Sequence, residues 1–257
     1  ESLRTALVIA AHGANSSIRK LTGTETREWD YLHHAVVTSV RCELPHQMTC
    51  WQRFTDEGPL ALLPLQHADG AHWCSIVWSL PPERAQAVMQ LDDEEFCRQL
   101  GFAFEHRLGK ILHADKRFSI PLRQRHAKRY IAPGLAFIGD AAHVIHPLAG
   151  QGVNLGFLDV AELANALLPA IERGENPASV QTLSRFERQR MPHNLAMMAA
   201  MQGFQNLFQS DNLALRWLRN TGLSSIDALP EAKSAFIRQA LGLGLKLPPL
   251  AQAPVYN

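Results

Sequence analysis

Leu135-Ala136-Phe137-Ile138-Gly139-Asp140-Ala141-Ala142-His143, followed by Pro147 and then Gly150-Gln151-Gly152-Val153-Asn154-Leu155-Gly156, is the stretch that decides how this chain folds. Residues 135–138 are an apolar run of strand length, and 154–168 have the spacing of a helix. A strand with a carboxylate at its C-terminal tip, a proline and glycine loop, and then a helix N-terminus suit a large polar cofactor. Loop N–H groups and the helix dipole favour negative or electron-rich groups, and Asp140 is an acceptor for sugar hydroxyls. Lacking Cβ atoms, Gly150 and Gly152 can take positive φ and let a planar ring lie directly on the backbone. Pro147 fixes the direction of the loop. The same residues also suit an ordinary strand-to-helix turn capped by Asp140 and Asn154, and spacing alone leaves both readings open.

Two nucleotide motifs fit poorly. Gly150, Gly152 and Gly156 are spaced one residue too widely for a dinucleotide fingerprint, and Ile138 lies too far upstream. No Gly-Lys-Ser or Gly-Lys-Thr provides a phosphate loop.

Upstream, residues 7–10 read as a strand. Residues 35–42, 50–55, 60–65 and 73–79 are strand-like runs separated by turn signals at Pro45, Asp56-Glu57-Gly58 and Asp69-Gly70, which predicts an antiparallel sheet. Such a sheet buries one face and offers the other to a ligand. Trp51, Trp73 and Trp78 fall on it, and core packing is favoured over a substrate pocket for them. Pro81-Pro82 closes the block. Residues 83–89 and 92–104 read as helices, the second favoured by Asp92, Asp93 and Glu94 at its start. Residues 118–122 return the chain toward the cofactor loop. Downstream, 179–208 is a long amphipathic segment that Pro192 should kink or end, and 213–226 and 231–241 look like two more helices.

At 257 residues, 46% hydrophobic and 19% charged, the chain has ample core for one large or two small domains. A net charge of +1 gives no long-range field and no reason to expect nucleic acid. Arg123, Arg125, Lys128 and Arg129 read as a solvated face. Cys42, Cys50, Cys74 and Cys97 lack metal or redox spacing and read as reduced buried thiols. His143 and His146 have the separation of a metal pair but no carboxylate or thiol at ligand spacing. His33 and His34 read as surface residues, and Met197, Met198 and Met201 as core filler. No apolar run approaches the ~18–20 residues that span a bilayer. No nucleophile elbow is present.

Gly139–His143, Pro147 and 149–156 resemble the second FAD-binding motif of class A flavoprotein monooxygenases, and among these the ubiquinone-biosynthesis hydroxylases. The resemblance extends through Trp51-Gln52-Arg53-Phe54-Thr55, 58–65, 74–78 and Met201-Gln202-Gly203-Phe204. Downstream segments look most like members acting at ring position 5. Arg125-His126-Ala127 through Tyr130, with Pro133-Gly134-Leu135, look more like those acting at position 6.

The resemblance implies an α/β, partial FAD/NAD(P)-binding fold like that of para-hydroxybenzoate hydroxylase, with an antiparallel substrate-domain sheet and C-terminal helices. It divides the chain into a remnant of the FAD domain at 1–25, a substrate sheet at 26–116, completion of the FAD domain at 117–175 and a helical region at 176–257. It implies FAD, with NAD(P)H as co-substrate and O2, in hydroxylation of a polyprenylated phenol or quinol. Arg19, Gly139, Asp140, Pro147, Gly150, Gln151, Gly152, Val153 and Asn154 are the cofactor-binding residues it points to. No side chain is assigned to catalysis, because the flavin carries the chemistry, and no metal is expected. Other ubiquinone-biosynthesis proteins are the implied partners, in the cytoplasm, with peripheral contact at the inner membrane. Phe236, Ile237, Leu241 and Leu245, beside Lys233, Arg238 and Lys246, would suit that contact, although packing against the body is favoured.

Two departures stand out. The Gly-x-Gly-x-x-Gly turn that opens such enzymes does not occur here, so the chain reads as a C-terminal portion of a longer enzyme, expected to bind FAD weakly or not at all by itself. In the family's middle motif Gly13, Ser16 and Arg19 match, but His12 stands where an aspartate is expected. Imidazole, with an ordinary pKa near ~6.5, supplies no fixed negative charge. A flavin-free component that binds substrate or partners is the alternative reading.

Overall fold

The computed structural model describes residues 3–68, 70–145 and 152–209, together with Glu231, Ser234 and 247–252. Along the chain come β1 (Val8–Ala10), α1 (Ser17–Leu21), β2 (Thr26–Cys42), β3 (Trp51–Thr55), β4 (Gly58–Pro64) and β5 (Trp73–Leu80). Next are α2 (Pro82–Met89), α3 (Asp93–Ala103), β6 (Ile111–Ala114), β7 (Phe118–Ala127), β8 (Ile131–Ala132) and β9 (Leu135–Phe137). A 3-10 turn at Gly139–Ala141 leads to β10 (His143–Val144), α4 (Gly152–Glu172) and α5 (Val180–Gln209). The chain divides into two units, Asp30–Leu122 and the remainder, Glu1–Trp29 with Arg123–Asn257. The antiparallel sheet and the α/β character agree with the fold expected from the sequence.

In the unit Asp30–Leu122, β2 pairs antiparallel with β5 and β6, β5 with β4, and β4 with β3. Alternation along these strands sends Val36, Val40, Leu60, Leu62, Cys74, Ile76, Trp78 and Leu80 into one core with Ala85, Val88, Phe96 and Leu100 of α2 and α3. The Asp92 carboxylate caps α3 by accepting from the Glu95 N–H at 2.8 Å, as the acidic run at this point predicted. Trp78 is buried in that core and Trp51 packs at its edge beneath the Arg107 guanidinium, 4.7 Å from the ring centroid. Trp73 instead stacks on His67 and meets His113 edge-on.

In the other unit, β1 and β9 pair in parallel, Val8 opposite Leu135 and Ala10 opposite Phe137, and β8 flanks β9 antiparallel. Ala10, Leu135, Ala136, Phe137, Leu163, Ala166, Leu183 and Phe186 form its core, which joins the small sheet to α4 and α5. Met198 packs with Ile145 and Leu155, with Met197 at the edge, in the filler role expected of the methionines.

Several expectations are corrected. α5 does not end at Pro192 but continues to Gln209. Pro192 and Arg188, whose carbonyl loses its helix bond, are both exposed residues, whereas Arg190 and Asn194 are buried and anchored. α4 is long and apolar enough, by length and composition, to cross a bilayer. Its buried Asp159 is bonded to His143 and to Arg190, on two other elements. Cys42 and Cys74 are buried free thiols, whereas Cys50 is exposed and Cys97 half-buried. The basic cluster is the solvated face expected of it, with Arg123, Lys128 and Arg129 exposed and Arg125 paired with Glu28, Lys128 with Glu25 and Arg129 with Glu187. The segments 213–226 and 231–241, and the interfacial residues named with them, lie outside the described residues, apart from Glu231 and Ser234.

Candidate flavin-binding turn

The parallel pair β1 and β9 puts both strand C-termini at one end of the small sheet, where ligands of open α/β sheets gather. β9 delivers Gly139-Asp140 there. Gly139 takes φ +57°, a region disfavoured for side chains, and this turns the chain sharply out of the strand. Its Cα faces that of Gly156, and a Cβ added to Gly156 would lie 3.4 Å from it. Gly156 therefore serves close packing of α4 on the turn.

Asp140 is exposed, and among the described residues its carboxylate has no side-chain hydrogen bond. It sits inside the 3-10 turn, whose cap is Ile138, so it is not a helix cap. Gly152 opens α4, with Val153 and Asn154 exposed in its first turn. Gly152 does not use its freedom to take positive φ, because it is helical; among the described glycines of this connection Gly139 is left-handed. Asn154 is the third helical residue, not a cap. Pro147, Gly150, Gln151 and His146 lie outside the described residues.

Arg19 reaches the same turn from behind. Its Nη1 donates to the Ala141 carbonyl at 2.7 Å and Nη2 to that of Ala14 at 2.5 Å, while Ser16 Oγ caps its own N–H. Burial, then the nearby Arg125 charge, lowers its pKa below the usual guanidinium value, against an opposing pull from Glu28. The guanidinium is thus engaged in holding the turn. His12 Nε2 lies 3.3 Å from Ser17 Oγ and 3.5 Å from the Ile18 N–H, at the start of α1.

The residues the sequence did not reveal lie beneath Gly139. Asp159 of α4 is 0% exposed. Its Oδ2 accepts from the Gly139 N–H at 2.9 Å and from His143 Nε2 at 2.6 Å. Its Oδ1 accepts from Arg190 Nε at 2.8 Å and Asn194 Nδ2 at 3.2 Å. Burial works to raise the Asp159 carboxyl, but His143 and Arg190 hold it below the ordinary value, so it is an ionised acceptor. Arg190 Nη2 also donates to Asn194 Oδ1 at 2.8 Å, which fixes that amide. Asn194 Nδ2 then reaches Tyr130 Oη at 3.3 Å, and the phenol faces His126 Nε2 at 3.0 Å. Burial raises Tyr130 above the usual phenol range and lowers His126 to about 4, with His143 and Arg27 as lesser causes. A carboxylate therefore does accompany His143, sixteen positions away and beyond any local ligand spacing. Among the described residues no group of three metal-ligating side chains assembles.

A family profile described as FAD binding domain matches residues 1–201. The chain belongs to that family. Among curated relatives of this FAD-binding domain, the 3-demethoxyubiquinol 3-hydroxylase of Escherichia coli K12 is 39% identical over 95% of this chain and 61% of that protein. The ubiquinone hydroxylase UbiL of Rhodospirillum rubrum is 34% identical over 97% of this chain and 57% of that protein. The mitochondrial ubiquinone biosynthesis monooxygenase COQ6 of Homo sapiens is 34% identical over 90% and 56%. The chain thus spans about three-fifths of the length of these relatives. Among solved structures, p-nitrophenol 4-monooxygenase PnpA from Pseudomonas putida superposes with a TM-score of 0.70 at 20% identity, covering 93% of this chain and 58% of that one. PqsL from Pseudomonas aeruginosa, a probable FAD-dependent monooxygenase, gives 0.66 at 23% identity, covering 80% and 57%. These likenesses establish the flavoprotein-monooxygenase fold.

The donor set of this FAD-binding domain fits its cofactor. Asp140 is an exposed acceptor suited to sugar or ribityl hydroxyls. The first turn of α4 offers helix N–H groups with no acidic residue among them. Among the described residues, a Cβ added at Gly152 would meet nothing within 4 Å.

Proposed function

We propose that this chain forms one side of the flavin site of an aromatic-ring hydroxylase of ubiquinone biosynthesis, acting on a polyprenylated phenol or quinol with NAD(P)H and O2. The observation that carries the reading is Asp140: an exposed carboxylate just past the tip of β9, on the strand-to-helix connection that leads to α4. FAD, when bound, supplies reduction and oxygen activation. The chain's residues orient it. Asp140 accepts from its hydroxyls, the N–H groups of Gly152–Asn154 face its electron-rich edge, and Gly139 gives the turn its shape. The identity to ubiquinone hydroxylases supports the pathway. A cytoplasmic protein that meets its insoluble substrate at the inner membrane, together with other proteins of the pathway, suits that chemistry.

A flavin-free reading draws on Arg19 and His12, whose polar atoms serve the turn and α1. An absorbance scan of the purified chain followed by a fluorescence titration with FAD separates the two. We expect weak, saturable binding that Asp140→Ala lowers by about 10–100-fold, the worth of a charge-assisted hydrogen bond. Affinity unchanged by Asp140→Ala removes Asp140 from the site.

A further inference from the structure

We infer that Asp159 is a positioning residue that sets the flavin-facing turn from α5, through its bonds to Gly139 and His143 on one oxygen and to Arg190 and Asn194 on the other. This rests on the reading of Asp140 as a flavin ligand. Gly139 is the residue at which the chain turns, and Asp140 follows it directly. A left-handed glycine has a broad range of accessible φ and ψ, so its attitude needs an outside constraint. Asp159 supplies it at the Gly139 N–H, 2.9 Å away, and again at His143, just past the turn, 2.6 Å away.

The clasp is itself immobilised. Arg190 donates to Asp159, Asn194 and the Leu155 carbonyl, and it meets His193 Nδ1 at 2.8 Å. Tyr130 and His126 close the far side. Asp159, Arg190, Asn194, His126 and His143 are all buried, so no water competes for these bonds. A carboxylate tying a turn of β9 to a helix over thirty residues downstream exceeds what a core needs. Apolar packing of α4 on α5 would serve stability as well as a buried ion pair does. What the ionic clasp adds is direction at Gly139.

The test compares this chain with Asp159→Asn, which keeps the shape but exchanges one carboxylate oxygen for a donor. Amide hydrogen exchange at Gly139, the 15N signature of the His143 ring and a titration with FAD are read together. We expect Gly139 exchange to rise by about 10-fold or more, the His143 Nε2–H signal to shift, and FAD affinity to fall by about 10-fold. Leu163→Ala, a core change on the same helix, controls for stability and should leave FAD affinity at the level of the unsubstituted chain. Should Asp159→Asn fail to fold, Asn194→Ala, which leaves Arg190 paired with Asp159, should show the same changes in smaller measure. Gly139 protection and FAD affinity unchanged in a folded variant would overturn the inference. If the unsubstituted chain gives no FAD response, the flavin reading fails, and Gly139 exchange still decides the clasp.

Discussion

Asp159 Oδ2 lies 2.6 Å from His143 Nε2 in a region closed to water, and its other oxygen is held by Arg190. Removing one partner of such a pair leaves an uncompensated buried charge. Asp159→Ala should destabilise the chain by about 3–5 kcal/mol, measured by urea unfolding at neutral pH. Because the folded carboxyl is held below its ordinary value, its contribution is present above ~3.9 and is lost as pH falls through the lower folded value. Asp159→Asn should therefore flatten the most acidic part of the stability profile.

His126 titrates in the opposite sense. Its folded pKa of about 4 lies below the ordinary ~6.5, so the unfolded chain takes up a proton that the native state refuses. Stability should fall as pH drops from ~6.5 toward ~4, by about 3 kcal/mol in all. His193, also lowered by burial, adds to the same slope. His126→Gln keeps an acceptor for the Tyr130 phenol and should remove most of the loss. Denaturant midpoints measured at steps between pH 7 and 4 provide the check.

Gly58 and Gly139 should respond differently to alanine. A Cβ at Gly58, where φ is +144°, would lie 2.3 Å from the Ser79 carbonyl oxygen of the paired strand. Backbone must shift, so Gly58→Ala should cost more than ~3 kcal/mol. At Gly139 the added Cβ meets, among the described residues, Gly156 Cα at 3.8 Å, an ordinary contact that leaves the left-handed backbone as the penalty. Gly139→Ala should cost about 1–2 kcal/mol by thermal or denaturant unfolding.

Arg19→Met removes the donors that Ala141 and Ala14 share while keeping much of the aliphatic stem. A loss of about 1–3 kcal/mol is expected in a thermal melt. Faster amide exchange should appear around Ala141 and not in β4 or β5.

What the sequence made legible was what local chemistry encodes. The strand-like runs at 60–65 and 73–79, the acidic start of the helix at Asp92 and the strand–Gly–Asp–helix run each stated their element through neighbouring residues. The clasp was hidden because the partners of Asp159 lie 16 to 35 positions from it. One local sign existed. Leu155, Asp159, Leu163, Ala166 and Ala170 lie on the buried side of α4, and a carboxylate there must have partners. Of the two outcomes open to Pro192, an end to the helix is excluded: the rule about proline concerns the helix bond it removes, whereas Arg190 and Asn194 anchor this part of α5 by contacts outside it. A glycine's freedom does not say whether it is used, and Gly152 is helical.

The measurement that bears most directly on the account is an FAD titration of 15N-labelled chain, up to about 1 mM ligand, followed by amide shifts. The account predicts saturable changes concentrated at 139–143 and 152–156, weakened in Asp140→Ala while melting is unaltered. No change in those segments at saturating ligand, or changes confined to Asp30–Leu122, would contradict it.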